Sequence, residues 1–458
     1  MKDNSTLSNN PRMAHIHANG GHEAKETELI ERRGKHFAGS FLFYHDPVHL
    51  VRGEGVYLYD AQGNEYLDFY NNVQSMGHAN PKVVEAIREQ AGILTTHTRY
   101  LNEKVIEFAE EAASTLPDAL EVCLFVCTGT EACELAVRIA RSVTGSNGLI
   151  VMENSYHGNS KLVTEMSTAY PETLRGDTPH IEAIEPPNTY RGSFRLDGDN
   201  DQLLGQQYAD LAESAIDKLQ RRDQGLAAFV CDSIFDSNGA LDAPQDYFQK
   251  LSDKVHSAGG LMIADEVQAG VCRTGTFWGF EQYDFVPDIV FTGKPLGAGF
   301  PVAAVFTTRQ IADKWASQDM YFNTFGGNPV ASAAGKAVLQ FAKEQNMTEH
   351  VQAVGAYLQT QLVELADKHP IIGNVQGKGL FLGIDLVKDR ATREPASELA
   401  AKIPDAMKQK GVLIGLTGAF GNCLKFRPPL VVEKPDIDRV IVALDEVLSE
   451  LSDNKDNR

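Results

Sequence analysis

Four apolar residues, 261–264, follow a Gly-Gly break and end at Asp265 with no polar alternation, the pattern of a strand buried on both faces of a parallel sheet. A second such run, 288–292, leads to Lys294 in a loop that also holds Gly293, Gly297 and Gly299, where backbone can approach a ligand closely. Further buried strands are read at 121–127, 148–152, 226–231 and from 302. Helical spacing places Ala132, Leu135, Ala136, Ile139 and Val143 on one face after Thr128-Gly129-Thr130, and predicts helices at 82–92, 245–256 and 329–344. Strands that alternate with helices predict an α/β sheet covered on both faces.

Outside this core the patterns are shorter. Residues 51–70 alternate and break at Gln62-Gly63-Asn64, which predicts one hairpin of two antiparallel strands. The 170–206 stretch, rich in Pro, Gly, Asp and Asn, reads as a long excursion over the surface or across a subunit boundary. After 328 come an alternating, glycine-bearing stretch (373–385), a helix near 397–410, strands near 412–414 and 423–426, and an amphipathic helix over 435–451. These divide the chain into a disordered-type N-terminus (1–25, with His15, His17 and His22 in no metal spacing), a segment joining the small lobe (26–75), a large domain (76–328) and a C-terminal α+β domain (329–458).

Charge narrows the partners: 42 Lys+Arg against 62 Asp+Glu give a net charge of −20. That balance disfavours nucleic acid and anionic membrane surfaces. The six cysteines form no CxxC pair and read as reduced thiols. The N-terminus lacks an apolar signal core and no run approaches the roughly 20 apolar residues of a span, so a cytoplasmic protein is expected.

In open sheets of this kind ligands bind beyond the carboxyl ends of the strands, so Asp265 and Lys294 are expected to face one crevice. Gly129 and Thr130 open a helix after a strand, where free N–H groups make an anion site. Tyr156, in the SYHG stretch with His157, follows another strand and offers a flat ring. Pyridoxal 5′-phosphate needs an amine for its aldehyde, an acid for its ring nitrogen, a phosphate cradle and a surface for its ring. Each residue has a plainer alternative: Lys294 as a solvated loop amine, Asp265 as a turn cap, Thr130 as an N-cap. Their joint occurrence at strand ends favours the cofactor reading.

The stretches IADEVQAGVCRTGTFWGFE and PDIVFTGKPLGAGFPVAAV, with CTGTEACELAVRIAR, SYHG and FNTFGGNPVA, resemble the class III pyridoxal-phosphate aminotransferases of fold type I from about 46 to about 441. The resemblance implies a large domain with a mostly parallel seven-stranded sheet and a smaller domain from the N- and C-terminal parts. It makes Lys294 the Schiff-base lysine and pairs Asp265 with the pyridine nitrogen. Tyr156 would stack on the ring with His157 beside it, Gln268 would approach the ring hydroxyl, and Gly129 and Thr130 would hold the phosphate. Thr324 would reach the phosphate of a neighbouring subunit, which implies a homodimer with shared active sites. An amino donor and an oxo acid such as pyruvate or 2-oxoglutarate would react in turn.

Two positions depart from the family pattern. Asp232 stands where many members carry Glu before the Asp strand. In KFRPPL, Lys425 stands where an Arg that grips a substrate carboxylate is expected, and Arg427, two residues on, either takes that role or is a surface cation. Tyr70 and Asn72 are further candidates for the substrate end. The KFRPP, NNV, HTRYLNE and NTYRG stretches look most like the branch with alanine–glyoxylate-type aminotransferases and phospholyases. Transamination is therefore expected first and phosphate elimination from a phosphorylated amine second. Racemase or aminomutase chemistry, or a non-catalytic role, ranks behind both.

Overall fold

Seven strands form the central sheet of the computed structural model, which describes residues 24–37, 42–196 and 201–456. The reading of residues 1–23, with His15, His17 and His22, lies outside the described residues. In chain order the strands are β1 (Leu50–Glu54), β2 (Tyr57–Asp60), β3 (Glu65–Asp68), β4 (Val122–Val126), β5 (Leu149–Met152), β6 (Ile181–Ile184), β7 (Ala228–Asp232) and β8 (Leu261–Asp265). They continue with β9 (Ile289–Thr292), β10 (Ala303–Thr307), β11 (Ile372–Lys378), β12 (Phe381–Leu386), β13 (Val412–Leu413), β14 (Gly415–Thr417) and β15 (Cys423–Phe426).

The central sheet runs β4-β10-β9-β8-β7-β5-β6. From β9 to β6 every pair is parallel, and β10 alone runs against its neighbours β9 and β4. Alternation distributes side chains to two cores: Ile263 joins the cluster under the helix Gly129–Thr144, whereas Met262 and Ala264 join Phe229, Tyr247 and Phe248 on the other face. Covering both faces is what permits the continuous apolar runs of β5, β7 and β9. β4 is the edge strand and is only partly buried, less enclosed than its apolar run suggests.

Several local expectations are corrected. The 51–70 stretch holds three strands: Gly55, at φ 57°, turns β1 into β2 before the Gly63 turn leads to β3. Alternation misses the first turn because Val56 keeps the rhythm. The 170–206 excursion contains β6, which is too short and too polar in IEAI to stand out, yet closes one edge of the sheet. The helix expected near 397–410 is two, Ser397–Ala400 and Ile403–Gln409, with a proline opening the second. The helices Pro81–Ala91, Tyr247–Ser257 and Pro329–Glu344 form as the spacing predicts.

Two smaller sheets flank the site. β13 pairs in parallel with β3, so the N-terminal hairpins and the C-terminal part share the sheet β1-β2-β3-β13, and β11-β12-β15-β14 form the other. Among the described residues no helix is long and apolar enough to cross a membrane.

Candidate active site

A pocket opens at the carboxyl ends of the central strands, lined by Thr128, Gly129, Thr130, Tyr156, His157, Gly158, Asp232, Asp265, Val267, Gln268 and Lys294. The topology explains the gathering: Asp232 ends β7, Asp265 ends β8 in register with it, Lys294 follows β9, and the Gly129 helix follows β4. All eight cofactor-site candidates on this side of the fold come together there. Thr324 does not; it is exposed on the 323–328 loop.

The Gly129 end is built by a capping box. Thr128 accepts from the Glu131 amide at 3.2 Å, while Glu131 accepts the Cys127 and Thr128 amides, both at 2.9 Å. The N-cap is thus Thr128, not Thr130. The amides of Gly129 and Thr130 sit in the first turn, where no intrahelical acceptor exists. Small residues are required around them. A Cβ at Gly293 would lie 3.1 Å from the Gly129 Cα and nitrogen, and one at Gly158, whose φ is 144°, would lie 2.5 Å from Thr130 Oγ1.

Asp265 is held from two sides: Oδ1 accepts the Val267 amide at 3.0 Å, and Oδ2 lies 2.8 Å from His157 Nδ1. Both side chains are buried, and His157 Nε2 has no hydrogen-bond partner among the described residues. Burial pushes the neighbouring Asp232 carboxyl up to about 7, with Asp265 and Asp236 adding to the shift. Tyr156 is half-exposed and meets Tyr170 edge-on at 5.7 Å between ring centres.

Lys294 begins a one-turn helix beside Pro295, whose carbonyl accepts from Ser75 at 3.2 Å. Dense protein around the amine pushes it down to about 8, helped by the Arg427 charge and opposed by Asp265 and Asp236. A lysine so placed carries a neutral, nucleophilic amine near neutral pH far more often than a solvated one.

The substrate-side candidates form a linked set beyond Gln268. Gln268 Oε1 accepts from Asn72 at 2.7 Å and from Arg427 Nη1, and its Nε2 donates to Asp236. Arg427 is buried, so it is not a surface cation; its guanidinium carbon lies 4.4 Å from the centre of the Tyr70 ring and its Nε is unpartnered. Lys425 does not stand ready for a substrate carboxylate, because its amine pairs with Asp236 at 2.7 Å. Of the polar groups in 71–78, Asn72 reaches the site, Asn71 accepts the Val73 amide, and His78 turns away to Asp68 at 2.8 Å.

Two residues escape sequence reasoning. Glu266, fully buried next to Asp265, accepts from Ser233 and from the Gly279 and Phe280 amides, and burial pushes it up to about 8. Asp236 lies in a short 3-10 turn with no periodic signal. The only sequence cue for either was an acidic residue near a strand end.

A pyridoxal-phosphate-sized group fits the donors present: a cradle that added Cβ atoms would fill, two first-turn amides, a buried carboxylate and a depressed amine. Residues 44–448 match the profile of the family described as aminotransferase class-III. The chain is 41% identical over 443 residues to ethanolamine-phosphate phospho-lyase homolog 1 of Caenorhabditis elegans, covering 93% of this chain and 94% of that protein. It is 39% identical over 433 residues to the mitochondrial alanine–glyoxylate aminotransferase 2 homolog 2 of Arabidopsis thaliana, covering 93% and 88%. Among solved structures, a phospholyase from Arthrobacter in complex with phosphoethanolamine superposes with a TM-score of 0.88 at 39% identity, covering 92% of this chain and 99% of that one. Together, site and comparisons place this chain in the class III aminotransferase family, as a pyridoxal 5′-phosphate-dependent enzyme of fold type I.

Proposed function

We propose that the protein is an aminotransferase that moves an amino group from an amine or amino acid to an oxo acid such as pyruvate or 2-oxoglutarate. The observation that carries this reading is Arg427, a buried guanidinium with no carboxylate partner among the described residues, close enough to Lys294 for its charge to depress that amine. A buried cation of fork geometry without a carboxylate partner suits the carboxylate shared by an amino acid donor and an oxo acid acceptor.

When bound, pyridoxal 5′-phosphate supplies an electron sink for the carbon that loses its proton. The chain's residues do the rest. Lys294 would hold the cofactor's aldehyde, and its depressed amine would serve as the group that takes and returns a proton at the substrate carbon. Asp265 would hold the proton of the ring nitrogen, and His157 fixes the orientation of its carboxylate. The Gly129 and Thr130 amides and the Thr130 hydroxyl would hold the phosphate, and Tyr156 and Gln268, which line the same pocket, would contact the ring. Arg427, backed by Tyr70 and Gln268, orients the substrate's anionic end.

The second reading is phosphate elimination from a phosphorylated amine, favoured by a second buried cation, Lys425, on the strand that carries Arg427 into the site, and by similarity to the phospholyases. Mixing holoenzyme with candidate amines in the absence of oxo acid separates the two. Aminotransfer leaves the cofactor's absorbance shifted until oxo acid is added; elimination restores it and releases inorganic phosphate and ammonia. Phosphate release from a phosphorylated amine without any dependence on oxo acid would overturn the first reading.

The homodimer belongs to the same proposal. Leu101 is 97% exposed, Met320 90% and Phe325 69%, far more apolar surface than a solitary chain favours. Contacts of His97 and Arg99 with the Phe322 ring join the 93–101 and 320–325 loops into one face. Asn323 donates to Glu131 at 3.4 Å, so this face borders the Gly129 helix and would bring a partner's Thr324 to the phosphate cradle. Six free thiols support a reducing, cytoplasmic setting.

A further inference from the structure

We infer that Asp68 and His78 are positioning residues for the substrate end of the pocket: their buried pair folds the 68–78 segment into the loop that sets Tyr70 against Arg427 and Asn72 against Gln268. This deepens the reading of Arg427 as the receptor for a substrate anion and rests on it. Asp68 is 1% exposed and His78 8%. Asp68 Oδ1 accepts the Tyr70 amide at 3.0 Å and the Asn71 amide at 2.8 Å, and Oδ2 lies 2.8 Å from His78 Nε2. Both carboxylate oxygens thus bond within the segment itself.

The residues between the pair meet the site on two sides. Asn72 donates to Gln268 Oε1 at 2.7 Å, the atom that also accepts from Arg427, and the Arg427 guanidinium carbon lies 4.4 Å from the centre of the Tyr70 ring. Ser75 donates to the carbonyl of Pro295, next to Lys294, at 3.2 Å. The backbone meets the same neighbours: the Arg427 amide donates to the Phe69 carbonyl at 3.0 Å and the Leu430 amide to the Ser75 carbonyl at 2.7 Å. One segment therefore spans from the turn of the amine to the chain that carries the guanidinium.

Both ends of the segment are pinned to one turn. The Asp68 amide donates to the Val56 carbonyl at 2.9 Å, and His78 exchanges backbone bonds with Gly55 at 2.7 and 3.1 Å. What those bonds leave open is the path between the ends, and the side-chain pair settles it. With Oδ2 tied to His78, Oδ1 is the oxygen that faces the Tyr70 and Asn71 amides, and the turn they form aims the side chains that follow. Packing seats both rings closely: a Cβ at Gly53, in β1, would lie 2.8 Å from His78 Cβ, and one at Gly415, in β14, 2.2 Å from Tyr70 Cε2. Without the imidazole a buried carboxylate oxygen loses its partner, and the turn must shift to find it another.

Calorimetric titration of the holoenzyme with propionate, a carboxylate probe, tests this beside the affinity for pyridoxal 5′-phosphate read by equilibrium dialysis. His78→Leu should weaken propionate roughly tenfold and leave the cofactor's affinity within about twofold; a role in stability alone would not separate the two. His78→Asn, whose shorter amide stops short of Oδ2, should show the same split and serves if His78→Leu fails to fold. His78→Gln, which can still donate to Asp68, should recover propionate binding to within about threefold of wild type. In a Tyr70→Leu background His78→Leu should cost less than about threefold further, because part of what it positions is gone. Parallel loss of propionate and cofactor, unaltered propionate binding, no recovery in His78→Gln, or an undiminished effect in the Tyr70→Leu background overturns the inference. Arg427→Met separates it from the reading beneath: loss of propionate upholds the receptor whatever the His78 variants do, and retention removes the receptor and the positioning role together.

Discussion

Asp265 Oδ2 and His157 Nδ1 lie 2.8 Å apart, both side chains buried, at the ends of strands that are not neighbours in the sheet. The imidazole gives the carboxylate a fixed orientation that its own turn, through the Val267 amide, specifies only in part. His157→Leu should therefore leave a buried carboxylate oxygen without its partner and destabilise the protein by about 1–3 kcal/mol. Denaturant unfolding of holoenzyme measures this; a loss below about 0.5 kcal/mol would show the pair to be dispensable.

Lys294→Ala should lower steady-state turnover by at least about 10³-fold. Borohydride reduction followed by denaturation should leave cofactor covalently attached to wild type and none attached to the variant, whatever the substrate. Retention by the variant would move the role to another amine.

The Lys294 amine, pushed down to about 8, predicts two pH dependences. Capture of added cofactor by the apoenzyme should rise through pH about 8 instead of near the ordinary lysine range. In stability, the folded pKa lies below the unfolded one, so between about 8 and the ordinary range the unfolded chain binds more protons. Apoenzyme stability should then rise with pH across that window relative to Lys294→Met, whose slope lacks the contribution. Parallel pH–stability curves for the two would contradict the depressed amine.

Gly158→Ala places a Cβ 2.5 Å from Thr130 Oγ1 on a backbone at φ 144°. The nearest relief is to shift the 156–158 loop or the first helical turn, both of which line the pocket. Cofactor affinity should fall about tenfold or more, read by equilibrium dialysis, with a smaller effect on the fold because the clash is at the rim.

Leu101→Asp puts a charge in the centre of the proposed dimer face and should convert dimer to monomer in sedimentation velocity at micromolar concentration. Activity should fall with it if the partner completes the site. An unaltered dimer would place the interface elsewhere.

Six strands of the central sheet and the meeting of Asp265 with Lys294 were legible because both depend on local pattern: apolar runs mark buried parallel strands, and topology sends their carboxyl ends to one crevice. Turns and edges were less so. Gly55 sits inside an alternation that Val56 continues, and β6 is recognised only by its pairing with β5.

By itself the sequence determined that Gly129, Thr130, Tyr156, Asp265 and Lys294 gather in one pocket, since each follows a strand or opens a helix that local pattern reveals, whereas Asp232, His157 and Gln268 were legible only through the family resemblance. Only the tertiary structure decided the substrate side. Asp236, Gln268, Lys425 and Arg427 come from three distant segments, and which cation pairs with Asp236 depends on distances of a few ångströms between their side chains. Coulomb interactions of that range follow spatial separation, which the linear pattern of residues does not encode.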